Sequence, residues 1–424
     1  MKTFYIKGDF IHADRPDHLS EQPDCCLLVR EGRCAGFFAQ SEAGIPVRDY
    51  SGSLIIPAFT DLHVHAAQFP NMGLGMDMPL LPWLERYTFP LEAAYQDPEY
   101  ANLVYSRFVR ELWRNGSLRS CVYSTVHQEA TAILMDLFLE SGLAAFVGKI
   151  NMDRNAPEAL TETTEESLAE TRRWLEQYAG VSPKVKPIIT PRFVPSVTEA
   201  LMDGLGELAR EFNVPVQSHL NENRDEVEWV KQLHPESDNY LDVYGDHGLI
   251  RDQATIMAHC IHNVPEEVAR FARDEVFVAH CPTANLNMSS GIMPAARLLR
   301  QGNIHLALGT DVAGGNTLSI PRVMVAAMQS SNVLFSQDPA QTPLSLAEAF
   351  WMGTRGGGKF FGDCGDFREG SSCDLLVIDD SAARRIKAMS LTDRLSRFVF
   401  AGDPAEIRWR MLEGEILPEP RLRE

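Results

Sequence analysis

His63 and His65 stand one residue apart in AFTDLHVHAAQFP, directly behind the apolar run SLIIP. On a strand, an i, i+2 pair points to one face, so these imidazoles can grip one ion together. Taken alone, the pair reads equally well as a polar strand end. Three distant strand-like runs decide between the two: PVQSHL with the following NEN brings His219 and Glu222, TIMAHC brings His259, and HLALGTD ends on Asp311. His63, His65, His219 and Asp311 form an N and O donor set that suits zinc and would also accept iron or manganese. A dication held there lowers the pKa of a water toward roughly 7, giving hydroxide at neutral pH. Glu222, three residues past His219, is near enough to take that water's proton and pass it to a leaving group. His259 is expected to orient the hydroxide or stabilise developing charge. The chemistry implied is metal-assisted hydrolysis.

Strand ends converge in this way in a barrel of parallel strands, whose carboxyl ends build the site. From residue 54 onward, short β-rich runs alternate with segments of helical period. LIIPAFTDLHVH, SCVYSTV, AAFVGKI, VKPIITPRF, PVQSHL, TIMAHC, VFVAHC and HLALGTD make eight expected strands. Between the first two, Asp97 is a helix cap and Pro98 suits the first turn. Tyr100, Leu103, Val104, Phe108 and Leu112 are expected to share a face before Gly116 stops the helix. Thr163 and Glu166 have the spacing of a capping box. The expected architecture is α/β, a (β/α)8 barrel over residues 57–365. A small β-sandwich domain is expected from both ends of the chain, residues 1–56 and 366–424, because TFYIKGDFIHA, CLLVREGRCAGFF, SSCDLLVIDD and WRMLEGEIL are all short and strand-like.

A formal charge of −19 argues against nucleic-acid or anionic-membrane partners, leaving a small molecule as the expected substrate. The eight cysteines form no CxxC pair, as in an intracellular protein of reduced thiols. MKTFYIKGDF lacks the basic and apolar regions of a signal peptide, and no apolar run is long enough to span a membrane. A soluble cytoplasmic protein is expected. GTRGGGK, residues 353–359, has P-loop spacing, but Phe360 replaces the Ser or Thr that would bind metal and SLAEAFWM before it reads as helix. His127 and Glu129 start a deaminase-type HxE with no PCxxC to complete it. His280, at the end of VFVAHC, is expected as a satisfied structural histidine. His12, His18, His127, His234, His247, His262 and His305 are expected at the surface or behind the site.

The motifs resemble the amidohydrolase superfamily and, within it, the guanine deaminases. PAFTDLHVH, SHLNEN, MAHC, GTD and the tail FREGSSCDLLVID carry the general likeness. MDMPLLPWLERYTFPLEAAYQD, FVGKINMD, TTEESLAET, VKPIITPRF, SHLNENRDEVEWVK, AHCPTANLNMSSG and LGTDVAGG carry the specific one, from about residue 54 to 365. The resemblance implies one zinc held by His63, His65, His219 and Asp311, with Glu222 as proton shuttle and His259 beside the water. It implies purine contacts at Gln68, Arg192 and Phe193, with His219 also at the substrate. The implied reaction is hydrolytic loss of the 2-amino group of guanine, giving xanthine and ammonia, in a homodimer. A carboxamide and a guanidinium fork can read a purine's polar edge, and Phe193 can wall its face. Ala58 stands where the family commonly has glycine, and LHVH replaces THIH with both histidines kept. A relative acting on another purine, a pterin or a triazine would share the metal site and differ at Gln68, Arg192, Phe193 and residues 76–90. An inactive scaffold on the same barrel would be expected to lose a ligand or Glu222, and all are present.

Overall fold

A computed structural model describes residues 3–250 and 254–422. Its first four strands, β1 (Thr3–Arg15), β2 (His18–Arg30), β3 (Arg33–Phe38) and β4 (Val47–Pro57), belong to a sheet made from both flanks of the chain. Its other members are the last three strands, which follow ten intervening ones. The run LIIP is therefore not barrel: Leu54, Ile55, Ile56 and Pro57 pair with the late strand Leu375–Ile378. The first barrel strand starts beyond it.

That strand, β5 (Phe59–His65), is buried at every residue, as strands covered on both faces are. It is followed by β6 (Ser117–Tyr123), β7 (Ala144–Gly148), β8 (Ile150–Asn151), β9 (Val185–Pro187), β10 (Thr190–Pro191), β11 (Val216–Leu220), β12 (Thr255–His259), β13 (Val276–His280) and β14 (His305–Leu308). Two parallel arcs result, β5-β6-β7-β9 and β11-β12-β13-β14. Backbone bonds close them into one barrel. On one side Gln217 N–H donates to Ile189 O at 2.9 Å, and on the other Asp311 N–H donates to His63 O at 2.8 Å and His65 N–H to Val312 O at 3.1 Å. The expected strands AAFVGKI and VKPIITPRF are each broken in two, as β7 with β8 and β9 with β10. In the second, Pro187 and Pro191 have no N–H to extend a ladder, and β10 turns to pair with β8.

The helix Pro98–Asn115 begins as expected, with the Asp97 side chain accepting from Glu99 N–H, and ends at Gly116 with φ 78°. Its inward face is Ala101, Val104, Tyr105, Phe108, Val109 and Leu112. Leu103 is exposed instead, because the inward stripe runs one residue away from the expected line. The Thr163–Glu166 capping box is formed.

The late strands β15 (Leu375–Ile378), β16 (Ile407–Leu412) and β17 (Glu415–Ile416) complete the terminal sheet, ordered β17-β16-β15-β4-β1-β2-β3. It curls around its own core of Phe4, Ile6, Phe10, Leu27, Val29 and Val377. Its other side contributes Ile11, Leu54, Ile56 and Leu376 to the main core of the barrel. His12 is buried in this sheet against Phe37 and Phe367, neither on the surface nor behind the site. His234 is likewise buried, beside Arg154. The glycine run of GTRGGGK lies on a turn of helix packed on the barrel. A Cβ on Gly356 would meet Leu306 O at 2.6 Å, so the glycine serves close approach and not phosphate binding. All eight cysteines are free and buried. Among the described residues no helix is long and apolar enough to cross a membrane.

Candidate active site

Barrel closure sets the positions of the polar groups. His63 and His65 end β5, His219 lies near the end of β11, His259 ends β12, and Asp311 follows β14. Asp311 and His259 adopt left-handed φ values of 48° and 70°, which cost a bulky residue about 1–3 kcal/mol unless neighbours impose them. For Asp311 the neighbours are visible. Its N–H bonds to His63 O, and the preceding Thr310 is clamped through N–H and Oγ1 onto the buried carboxylate of Asp61 at 3.0 and 2.5 Å.

His63 Nε2 lies 3.1 Å and His65 Nε2 3.5 Å from Asp311 Oδ1. His65 Nε2 is 3.2 Å from His219 Nε2. His259 Nε2 is 3.7 Å from Asp311 Oδ2 and 3.4 Å from Glu222 Oε2. Donor atoms of His63, His219, His259 and Asp311 all lie within 4.8 Å of one another, and His65 adjoins them. His219 Nδ1 donates to Arg192 O at 2.6 Å, which leaves its Nε2 lone pair facing the centre. Burial, with neighbouring imidazoles adding to it, holds His63, His65 and His219 well below the usual histidine range, so these rings are neutral donors. Yet both nitrogens of His63, Nδ1 of His65 and Nε2 of His259 have no hydrogen-bond partner. Buried polar atoms without partners are costly. Lone pairs converging on a buried carboxylate fit a cation that takes nitrogen and oxygen ligands.

Glu222 is buried, and burial first, then the nearby Asp311 and Glu226 carboxylates, raise its pKa well above the ordinary range. Ser290 Oγ lies 3.4 Å from its Oε1. The His259 ring is oriented by Asn285 Oδ1, 2.9 Å from Nδ1. His280 is buried, but neither ring nitrogen has a partner, so the expectation of a satisfied structural histidine fails on its hydrogen bonds.

One cavity joins these groups to the residues named for the purine. His65, Gln68, Arg192, Phe193, His219, Glu222, His259 and Asp311 line it, with Leu80, Trp83, Leu84 and Met288 as apolar wall. Phe193 packs edge-on to Trp229 with centroids 6.4 Å apart. Three supporting residues escaped the sequence reading, Asp61, Glu92 and Asn285, all inside quoted stretches. Only the distant partners they meet in the fold single them out.

Parallel barrel, strand-end imidazoles and paired carboxylates together define a metal-dependent hydrolase of the barrel type. The chain belongs to the amidohydrolase family, which it matches over residues 54–417. It is 38% identical over 376 residues to guanine deaminase of Dictyostelium discoideum, covering 87% of this chain and 83% of that protein. It is 32% identical over 439 residues to guanine deaminase of Escherichia coli, covering 98% and 97%. It also superposes on the crystal structure of guanine deaminase from C. acetobutylicum with bound guanine in the active site, with TM-score 0.96, 41% identity and coverage of 98% and 100%.

Proposed function

We propose that this chain is a zinc-dependent guanine deaminase, converting guanine and water to xanthine and ammonia by hydrolysis at C2. One observation carries the reading. A single cavity is lined both by Gln68, Arg192 and Phe193 and by His219, Glu222, His259 and Asp311, in a chain 41% identical to an enzyme crystallised with guanine. His63, His65, His219 and Asp311 would hold the zinc, supported by their mutual distances and unpartnered nitrogens. The metal supplies Lewis acidity that makes a water acidic enough to ionise near neutral pH.

The chain's own residues do the rest. Glu222 receives the proton of the attacking water on its carboxylate and returns it to the 2-amino nitrogen as the C2–N bond breaks. His259, 3.4 Å from Glu222, adjoins the developing charge. Gln68 and Arg192 hydrogen-bond the polar edge of the base while Phe193 and the apolar wall cover its faces. The same reading makes the protein a cytoplasmic homodimer, as the family resemblance implies.

The test is to incubate metal-loaded protein with guanine, adenine, cytosine and 8-oxoguanine, following ammonia and ultraviolet absorbance. Guanine should yield xanthine. Turnover of another base with none of guanine would overturn the substrate while leaving the family assignment intact.

A further inference from the structure

Behind Gln68 and Arg192 lies a carboxylate outside the cavity lining. Glu92 sits on the short helix Phe89–Ala93 and is 1% exposed. Its two oxygens are divided between the two side chains. Oε1 accepts from Gln68 Nε2 at 3.0 Å, and Oε2 accepts from Arg192 Nη1 at 2.5 Å. On the other side of the amide, Gln68 Oε1 accepts from Ala313 N–H at 3.2 Å. A carboxylate only accepts and a peptide N–H only donates, so these neighbours leave the Gln68 amide one orientation.

With those bonds made, the valences left for a ligand are defined. Arg192 keeps donors and has no acceptor, while Gln68 keeps one N–H and one lone pair. A donor-only guanidinium needs an acceptor opposite it. The 6-oxo group of guanine provides one, whereas a 6-amino group presents a second set of N–H donors.

We propose that Glu92 is a positioning residue that sets the choice between 6-oxo and 6-amino purines, by holding Gln68 and Arg192 in one hydrogen-bonding polarity. The inference rests on the guanine reading above. It identifies the source of discrimination as a residue that does not touch the base.

Glu92→Gln tests it with little change in shape. An amide has one accepting oxygen and one donating nitrogen, so either Gln68 or Arg192 loses its acceptor and meets N–H instead. Gln68 must then turn over or Arg192 must come free. The paired substrates are guanine and 2,6-diaminopurine, which carry the same 2-amino leaving group and differ at C6. For Glu92→Gln, kcat/KM on guanine should fall roughly 10- to 100-fold, the range for losing a charge-assisted hydrogen bond. The loss should lie mainly in KM, because the edge contacts exist before the transition state. The guanine to 2,6-diaminopurine ratio should shrink at least about 10-fold, since a site built for one hydrogen-bond pattern rejects the other strongly. Glu92→Ala, which admits a water able both to donate and to accept, should shrink the ratio too and serves if the glutamine variant does not fold. Combining Glu92→Gln with Gln68→Ala should cost less than the sum of the single losses. Equal losses on both purines, with the ratio unchanged at wild-type metal content, would mark a merely structural residue and overturn the inference. Wild-type protein inactive on guanine would instead overturn the parent reading.

Discussion

At His63 the question is what could satisfy a buried imidazole whose Nδ1 has no hydrogen-bond partner and whose Nε2 faces Asp311 Oδ1 at 3.1 Å without forming a hydrogen bond. Protonation does not serve, since burial drives its pKa down. Removing metal with a chelator should therefore abolish turnover and also lower the thermal midpoint, because the imidazoles and Asp311 are left buried without their common partner. Zinc should restore both, and an unchanged melting curve after verified metal loss would count against a site coupled to folding. Glu222→Gln should keep its metal yet lose about 10²-fold or more in rate, the usual contribution of a positioned acid-base group. Wild-type turnover with metal bound would remove Glu222 from the mechanism. The histidines and Asp311 were legible because strand-end position and i, i+2 spacing are local. Glu92 was not, because its meaning comes from Gln68, 24 residues away, and Arg192, 100 residues away. Asp61 was hidden for the same reason, since the Thr310 it clamps lies 249 residues on.

Among the elements, the turn after helix Leu346–Trp351 shows how a misleading motif acquires a different use. Gly353 would drive a Cβ to 2.3 Å from Met324 Cε, and Gly356 to 2.6 Å from Leu306 O. The latter neighbour is backbone of β14 and cannot swing aside. Gly356→Ala should cost about 1–3 kcal/mol of stability, the range for overpacking a filled interior, read as a lowered urea midpoint. Wild-type stability would show that the helix can retreat from the strand. The element pattern was largely readable from runs of apolar residues, caps and the Gly116 stop. It failed where tertiary pairing overrode local sequence: LIIP reads as continuous with FTDLHVH, yet pairs with a strand from the other end of the chain. The helix after Asp97 was found with its caps, while its inward stripe was displaced because Leu103 is as apolar as its buried neighbours.

For the molecule as a whole, the joint between barrel and terminal sheet is electrostatic as well as apolar. Arg119, on β6, donates through Nε to Asp374 Oδ2 at 2.8 Å, just before β15, and both are nearly buried. Asp374 also accepts from Ser372 Oγ and Glu413 N–H. Asp374→Asn should destabilise by about 3 kcal/mol or more, because removing one partner leaves the other charge buried. A change near zero would mean that Glu413, 3.4 Å from the same guanidinium, replaces it. The sheet beyond this joint also has a consequence in time. Strand β4 lies between β1 and β15, and Pro57 pairs with Leu375, which a ribosome adds roughly 320 residues later, on the order of 15–60 s at usual elongation rates. Through that interval the edge carrying Leu54–Ile56 has no neighbour, and an unpaired edge invites pairing with other chains. Nascent chains stalled before residue 375 should be protease-sensitive over their first 57 residues and prone to cluster on polysomes, whereas released full-length chains should resist. Strand β4 must wait for β15.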